Sequence, residues 1–337
     1  MSTNCGENWG PIAKVLVVRL DGIGDALVCT PLLAALLDAG HTVGIALSDR
    51  NRDVFAPGVF AAVHVLERIP WPRHGSTPDS SLRARGQIAA AGYDVALIVS
   101  EEPEAYELAG RIPRRIGFTT GWSKPLKTVW ARAHLTRSVV RGGRIGSDRA
   151  HEVEVVFRLA NRSGLHAEAV PTRDAARLRP LILEEPPAGP EPGGEQFAGQ
   201  RIVVQLGRKW SAIGIDDVSA RAIVAALAAR GARMVVSAAE EASAVQFGAG
   251  SALRVCRSVA CWKQEIARAR IVVTPDTGAA HLAGMLGIPV VDCFPDADAS
   301  VQIARWHPWA ARYTALVSGE LRGPHGVRRL ERAVDAL

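Results

Sequence analysis

The sequence is poor in the features that mark disulfide-stapled, zinc-bound or membrane-spanning proteins, beginning with cysteine. Its five cysteines are an odd, scattered set, and no two have the Cys-x-x-Cys spacing of a zinc ligand pair. This argues against both a disulfide framework and a structural zinc site. We therefore expect free and mostly buried thiols at Cys5, Cys29, Cys256, Cys261 and Cys293.

Long apolar runs are also missing. The runs that are present, such as "VLVV", "DVALIVS" and "IVVTP", are much shorter than the roughly 18 uncharged residues that span a membrane. The first residues, "MSTNCGENWGPIAK", have no basic region followed by an apolar core, so they do not resemble a signal peptide. These absences predict a soluble, cytoplasmic protein.

The sequence does contain enough apolar material for two α/β domains. It has 337 residues, of which 48% are hydrophobic, and this length exceeds what one average core needs. Residues 182–200 are rich in proline and glycine and contain almost nothing that packs, which is typical of a linker. We therefore predict an N-terminal domain over 1–181 and a C-terminal domain over 201–337.

Short apolar strands alternate with helix-length segments on both sides of this linker. Before it, "KVLVVRL", "HTVGIAL" and "DVALIVS" are predicted strands, and a helix starts near Asp25 and stops at Gly40. After it, "RIVVQL", "ARMVVSA" and "RIVVTP" are predicted strands, and "DDVSARAIVAALAARG" is a helix closed by Gly231. This alternation predicts two doubly wound parallel sheets that face each other across a cleft.

The net charge of +6 is spread along the chain rather than gathered in a tail. Basic residues recur in "RIPRRIGF" and "RSVVRGGR", which could face the phosphates of a substrate or an anionic membrane surface. No nucleic-acid recognition motif accompanies them, so we expect no nucleic-acid partner.

The most specific segment is "IVVTPDTGAAHLAGMLGIPVVDCF". Its first strand ends at Asp276 and Thr277, either of which can cap the helix that follows. Gly278 leaves the first helical turn bare, so an anion could approach the free N–H groups there, and His281 lies in the same turn. The pattern fits a diphosphate site, and it also fits a capped helix whose histidine only packs.

A second segment, "RLDGIGDALVCTPLL", places Asp21 and Asp25 where a strand passes to a helix. Leu27 stands where a dinucleotide fingerprint would have its third glycine, and the Gly-Lys-Ser/Thr of a phosphate-binding loop is absent from this turn. A carboxylate here repels phosphate but can accept a proton from a hydroxyl nucleophile, so Asp25 suits a general base. The alternative is that Asp25 is only a helix cap. Pro31 either kinks the following helix or marks its delayed start.

Three further residues follow predicted strands of the second half. The chain has only five lysines, and Lys209 follows "RIVVQL", where it could offset negative charge on a leaving phosphate. Glu240 and Glu241 follow "ARMVVSA". A carboxylate there could bond sugar hydroxyls, or it could simply begin a solvated helix.

These segments resemble two signatures of the ADP-heptose heptosyltransferases of lipopolysaccharide core assembly. "VVRLDGIGDALVCTPLLAAL" is similar to the N-terminal signature, which is a strand, a turn ending in Gly-Asp and a helix with Thr-Pro. "TPDTGAAHLAGMLGIPVVDCF" is similar to the Asp-Thr-Gly-x-x-His signature. Weaker similarity covers "RIGF" at 115–118 and "HEVEVVFRLANRSGL" at 151–165, so the resemblance follows nearly the whole chain in order.

The resemblance implies the GT-B fold, with the acceptor bound mainly by the first domain and the nucleotide sugar by the second. It implies an inverting transfer of heptose from ADP-heptose to a saccharide or glycolipid acceptor, without metal or cofactor. The enzyme would be cytoplasmic, with peripheral contact to the inner membrane surface as one option. The implied roles are general base for Asp25, leaving-group stabilisation for Lys209, donor binding for Glu240 or Glu241 and for Asp276, Thr277, Gly278 and His281, and acceptor binding for Gly24 and Arg115.

The sequence departs from the family pattern in two places. Gly207 is almost adjacent to Lys209, where the family usually has a longer loop, and "PDADASVQIARWHPW" replaces the usual Gly-Pro-Thr turn after "VVDCF". Two alternatives therefore stay open. One is a glycosyltransferase that uses another nucleotide sugar or a non-lipopolysaccharide acceptor, and the other is a catalytically silent nucleotide-sugar binding protein.

Overall fold

The predicted strands are present in the computed structural model of the protein, which describes residues 12–67, 79–141, 149–166, 168–184 and 201–337. They form two six-stranded sheets in which the paired strands are parallel. Cys5 and most of the predicted linker lie outside the described residues.

The first sheet has the strand order β3-β2-β1-β4-β5-β6. Its strands are β1 Lys14–Arg19, β2 Thr42–Ser48, β3 Ala62–Leu66, β4 Val95–Ile98, β5 Arg114–Thr119 and β6 Arg137–Val140. The helices of this half are α1 Ile23–Leu27, α2 Thr30–Asp38, α3 Asp79–Ala90, α4 Pro103–Leu108, α5 Pro125–His134 and α6 Glu152–Ser163. The side chains of residues 15–18 in β1 are fully buried, so both faces of the sheet are covered.

The second sheet has the strand order β12-β11-β10-β7-β8-β9. Its strands are β7 Arg201–Gln205, β8 Arg233–Ser237, β9 Leu253–Cys256, β10 Ala269–Pro275, β11 Val290–Phe294 and β12 Tyr313–Val317. The helices of this half are α7 Ala175–Ile182, α8 Lys209–Ala212, α9 Asp217–Ala229, α10 Glu241–Val245, α11 Val259–Ala267, α12 Gly278–Met285, α13 Ala299–Trp306 and α14 Gly323–Asp335.

Both sheets have the strand order of doubly wound nucleotide-binding folds, because the second order equals the first when it is read from the opposite edge. In each sheet the order reverses at one point, between β1 and β4 and between β7 and β10. Open α/β sheets hold their ligands at this point, outside the carboxyl ends of the strands. The turns after these four strands are therefore the first places to look for a site.

The local signals for helix starts and stops are confirmed. α1 is only five residues long, and α2 begins at Thr30 with Pro31 as its second residue, so Pro31 marks a delayed helix start. Gly40 and Gly231 follow their helices with φ values of 79° and 77°, a left-handed conformation that glycine adopts at little cost.

The four described cysteines are free, and three of them are buried, as expected. The Sγ atoms of Cys256 and Cys261 are nevertheless 3.1 Å apart, a proximity that the spacing of these residues does not suggest. Across the described ranges, every helix is too short or too polar to cross a membrane.

The chain forms two compact units whose sequences are interleaved. Among the described residues, the second unit takes 53–56, 149–151 and everything from 173 onward, and the first unit takes the rest. Within the second unit, the buried ammonium of Lys263 donates hydrogen bonds to the carbonyls of Val54 and Ile182, at 3.2 and 2.8 Å. Burial lowers the pKa of Lys263, and these carbonyl acceptors compensate part of the cost of its charge.

Candidate active site

In the first unit, Gly24 and Asp25 lie in the turn after β1, at the point where the strand order reverses. The Nη2 atom of Arg19 lies 2.6 Å from Oδ1 of Asp25, and Nε of Arg19 lies 3.2 Å from Oδ2 of Asp21. The Arg19 side chain is only 3% exposed, whereas Asp25 is 35% exposed. One buried guanidinium therefore orients two carboxylates that are open to solvent.

Hydrogen bonds from neighbouring strands fix the same turn. Oδ2 of Asp25 accepts from the N–H of Gly22 at 3.2 Å, so Asp25 does cap α1. The Ser100 hydroxyl, just after β4, donates to Oδ2 of Asp21 at 2.6 Å. The Asn51 amide donates to the carbonyls of Arg19 and Asp21, both at 3.1 Å. Asp25 thus combines a capping role with a held, partly exposed carboxylate, and the two interpretations of this residue are compatible.

The charged groups at this turn lie close enough together to shift the pKa of Arg19. Burial alone would lower the pKa of Arg19, but the nearby anionic groups, including Asp21 and Asp25, outweigh it and raise the pKa above its ordinary value. Burial also raises the pKa of the adjacent Cys29 thiol to about 12, so this cysteine is protonated at neutral pH. Arg19 therefore stays cationic wherever the protein is folded.

A second charged group continues along the same edge of the sheet. Glu101, which follows β4, lies 2.7 Å from Nη1 of Arg141 and 3.0 Å from Nζ of Lys127. Arg141 follows β6 and also contacts the fully buried Glu152. Sequence reasoning noticed Arg141 only as part of the basic segment "RSVVRGGR" and missed Glu101, Lys127 and Glu152 as its neighbours, because these residues are far apart in the chain and form no motif.

The structure does not bring Arg115 to this edge. Arg115 is the second residue of β5, and its guanidinium donates to the backbone carbonyls of His134 and Ile112 at 2.8 and 2.6 Å. Its acceptor-binding role stays a prediction from the resemblance, whereas these contacts are those of a side chain that ties loops together.

In the second unit, the Asp276–His281 segment follows β10, next to the point where that sheet's order reverses. Thr277, rather than Asp276, caps α12, because its Oγ1 accepts from the N–H of Ala279 at 3.3 Å. Nε2 of His281 lies 3.6 Å from Oδ1 of Asp276, and the His281 ring makes an edge contact with Trp306. His281 is 5% exposed, so its ring contacts Asp276 and Trp306 from the interior of the protein.

Lys209 and Glu240 follow the neighbouring strands β7 and β8. Lys209 is exposed at the start of the four-residue helix α8, which is anchored by the buried Trp210, whose Nε1 donates to the carbonyl of Gln205 at 2.7 Å. The carboxylate of Glu240 lies against Gly207, where a Cβ atom would collide with it, and 3.3 Å from Nε of Arg208. Of the two glutamates, Glu240 is thus the one beside the turn that carries Lys209.

Asp292 in β11 is a buried acid that sequence reasoning did not single out. It is fully buried, and neither carboxyl oxygen has a hydrogen-bond partner among the described residues. Burial and then the charge of Asp276 raise its pKa well above the ordinary value, and the nearby Cys293 N–H and Lys209 offset only part of this. Asp292 pairs in register with Thr274, whose hydroxyl contacts the Thr277 cap, so it lies beneath the predicted donor turn.

His151, from the weaker "HEVEV" similarity, also belongs to the second unit. Its Nε2 lies 2.7 Å from the carbonyl of His307. Burial and the neighbouring His307 lower its pKa to about 3, so it is neutral at physiological pH and donates this hydrogen bond. Within the described residues, no group of three or more His, Cys, Asp or Glu side chains is arranged to hold a metal ion.

Comparisons with known proteins bear on the fold. Neither a scan against protein-family models nor a search of curated proteins finds a match. A glycosyl transferase family 9 structure from Veillonella parvula matches with a TM-score of 0.69 and 13% identity, over 96% of each chain. The E. coli heptosyltransferase WaaC, solved with ADP, matches with a TM-score of 0.68 and 18% identity, over 96% of this chain and 99% of that one.

E. coli ADP-heptose lipopolysaccharide heptosyltransferase II also matches, with a TM-score of 0.64 and 15% identity, over 96% of this chain and 98% of that one. At these low sequence identities, the similarity is evidence for a shared fold. The GT-B fold that the two sequence signatures imply is therefore confirmed, because this protein shares the fold of the heptosyltransferase structures.

Proposed function

We propose that this protein is an inverting glycosyltransferase that moves heptose from ADP-heptose to a saccharide hydroxyl, in lipopolysaccharide core or related glycan synthesis. The observation that carries the proposal is the placement of Asp25. It is a partly exposed carboxylate at the reversal point of a doubly wound sheet, oriented by a buried guanidinium 2.6 Å away. Such a group can accept a proton from a hydroxyl that is aligned beside it.

In the proposed step, Asp25 takes the proton of the acceptor hydroxyl as its oxygen attacks the anomeric carbon of the donor. The bond from that carbon to the diphosphate breaks on the opposite face, and the electron pair leaves with ADP. Lys209 and the N-terminus of α12 stabilise the negative charge that develops on the departing diphosphate. In the first turn, the N–H of Ala279 donates to the Thr277 hydroxyl and that of Ala280 to the Thr277 carbonyl, so the N–H of Gly278 and the helix dipole are what this turn would offer an anion.

Two of the similar structures support ADP-heptose as the donor. WaaC has been solved with ADP and with ADP-2-deoxy-2-fluoro heptose, at 18% and 19% identity to this chain. The matching Asp-Thr-Gly-x-x-His segment at 276–281 supports the same type of donor here. A cytoplasmic location, a glycolipid acceptor and peripheral contact with the inner membrane complete the proposal.

A second candidate is a nucleotide-sugar binding protein without activity. It is favoured by the short turn before Lys209, because α8 has only four residues and Lys209 stands at its first position. Turnover of the unmodified protein separates the two candidates, and substitution of Lys209 then tests the role of the lysine. In an active enzyme, Lys209→Ala lowers turnover more than donor affinity, because the lysine acts on charge that appears only in the transition state. Arg221→Ala, at an exposed cation of α9, is the matched control.

The proposed function is tested by a thermal-shift screen of ADP-, UDP-, GDP- and CDP-sugars, followed by turnover with the donors that bind. A donor present at about 100 times its Kd stabilises the native state by about 2.7 kcal/mol. We expect ADP-heptose to raise the melting temperature most and to be consumed when a core saccharide is added. Selective stabilisation by another nucleotide sugar would replace the donor, and binding without release of ADP would favour the silent protein.

A further inference from the structure

An apolar stripe covers the outer side of α5 and the short helical turn before it. Trp122, Leu126 and Val129 are 95%, 86% and 69% exposed. Leu126 and Val129 are three residues apart and lie on one side of α5, and Trp122 lies in the short turn immediately before the helix. We call these three residues the α5 face.

The α5 face is not needed to attach α5 to its own unit. Thr128 and Ala131 bury the opposite side of the helix. Trp130 packs edge to face with Tyr106 at a centroid distance of 5.4 Å, and the Tyr106 hydroxyl donates to the carbonyl of Phe118. Because these contacts hold the helix, large apolar side chains on its outer side have no role in the fold.

The surrounding sequence carries charge of one sign only. Residues 108–147 contain no Asp or Glu in 40 positions, whereas they contain nine Lys and Arg. The basic residues first noticed in this region are mostly engaged, since Arg115 donates to backbone carbonyls and Arg141 pairs with Glu101. The exposed cations next to the stripe in the chain are instead Lys124, just before α5, and Arg132, within it.

The α5 face also lies at the edge of the sheet that carries Asp25. The order β1-β4-β5 places the end of β5, which leads into Trp122, two strands from the end of β1. This corresponds to about 10 Å at the usual strand spacing. Lys127 of α5 contacts Glu101, which follows the intervening strand β4.

We propose that the α5 face is a docking surface for an anionic phospholipid bilayer. Trp and Leu side chains enter the boundary between headgroups and acyl chains, and flanking cations are attracted to anionic headgroups. A second copy of this chain is a poorer occupant, because two such basic regions repel each other. Nucleic acid is also a poorer occupant, because its phosphodiester backbone would not bury the apolar side chains of the α5 face. The inference rests on the proposed function in one respect: a glycosyltransferase that uses a lipid-linked acceptor would meet this acceptor at a bilayer.

The test uses the full-length protein and sedimentation with vesicles, without substrates. We expect binding to vesicles of equal parts phosphatidylcholine and phosphatidylglycerol, weakened by salt, and little binding to phosphatidylcholine alone. The Trp122→Ser/Leu126→Ser/Val129→Ser variant should lose this binding. Val218→Ser/Val245→Ser, which changes two apolar residues of the second unit that are 70% and 68% exposed, should keep it.

A charge series tests the electrostatic part separately. Each cation near an anionic bilayer contributes about fivefold in binding, so Lys124→Gln/Arg132→Gln should lower vesicle affinity about 25-fold. The matched Arg221→Gln/Arg328→Gln variant, which alters exposed cations of α9 and α14, should change it little. Trp122→Phe should remove most of the blue shift of tryptophan fluorescence that vesicles induce.

Several results would overturn the proposal. They are no vesicle binding by the unmodified protein, equal binding to neutral vesicles, or equal losses in the control variants. Binding to a single-stranded oligonucleotide or concentration-dependent dimerisation that depends on the α5 face, without vesicle binding, would assign the face to another partner. Because no turnover is measured, a failure here leaves the proposed glycosyl transfer untouched, and an inactive protein can still dock.

Discussion

Replacing Asp25 by Asn separates the proposed base from the helix cap at a single position. Asn keeps the size of the side chain and an oxygen that can accept from the N–H of Gly22, 3.2 Å away in the present structure. It also leaves Arg19 with a carboxylate partner, because Asp21 lies 3.2 Å from its Nε. The substitution therefore removes the proton acceptor without leaving a buried cation unpaired.

The magnitude of each effect follows from these contacts. Hydrogen bonds to charged groups are worth about 1.5–3 kcal/mol and neutral ones about 1 kcal/mol, so weakening the bond to Arg19 costs roughly 1–2 kcal/mol at most. Solvent screening reduces this cost, since Asp25 is 35% exposed. Loss of a general base costs about 10²- to 10⁴-fold in turnover, or roughly 3–5 kcal/mol of barrier. The catalytic loss should therefore far exceed the loss of stability.

The assay measures turnover with ADP-heptose and a saccharide acceptor, donor affinity by calorimetry, and thermal unfolding. We expect Asp25→Asn to lose at least about 100-fold in turnover, to keep its donor affinity, and to melt a few degrees lower. Asp21→Asn is the matched control, because it removes the same charge from the same guanidinium, and it should lose less than about tenfold in turnover. Near-normal turnover of Asp25→Asn, or the reverse order of the two variants, would refute the assignment of the base.

Three further predictions concern the donor turn, metal independence and the buried acid. Gly278→Val should weaken ADP binding in calorimetry far more than it lowers the melting temperature, because a β-branched side chain obstructs the first turn of α12; equal affinities would favour a plain capped helix. Turnover should persist in excess EDTA, and a loss that magnesium or manganese restores would contradict this. For Asp292, whose pKa is raised by burial and by Asp276, the unfolded chain releases a proton above about pH 4 that the folded chain keeps. Stability of the wild type should therefore fall with rising pH, relative to Asp292→Asn, by up to about 1.4 kcal/mol per pH unit until the folded-state pKa is reached; parallel urea-unfolding results for the two proteins from pH 4 to 8 would show that Asp292 does not carry this proton.

The fold was predictable because its signals are local. Runs such as "VLVV" are buried on both faces, Gly40 and Gly231 end their helices, and Pro31 marks a helix start. Each of these depends on a few neighbouring residues. The strand order could be anticipated only in class, since which strands become neighbours depends on contacts between distant parts of the chain.

The candidate site was predictable only where chemistry and motif coincide. Asp25 and Thr277 stand at marked strand ends, and the structure places both at turns beside an order reversal. Arg19 and Asp292 were missed because they belong to apolar strands. There the sequence pattern predicts burial, but it does not predict the contacts of a polar side chain. What makes them notable is a partner 2.6 Å away in one case and no partner among the described residues in the other. Both Asp and Thr can cap a helix, so residue type alone does not predict that Thr277 rather than Asp276 is the cap. The backbone geometry decides this.

The contacts of Lys263 limit how this protein can be recombined with other proteins of the same fold. A fragment covering 201–337 would contain every strand of the second sheet and Lys263, but it would lack the carbonyls of Val54 and Ile182 that receive the ammonium. The orphaned cation would have to give up its proton or admit water into an apolar interior. A chimaera that exchanges the second unit between proteins of this fold must therefore transplant the segments 53–56 and 149–151 together with everything from 173 onward. Splicing at the proline-rich segment alone would leave the second unit without these parts of its interior.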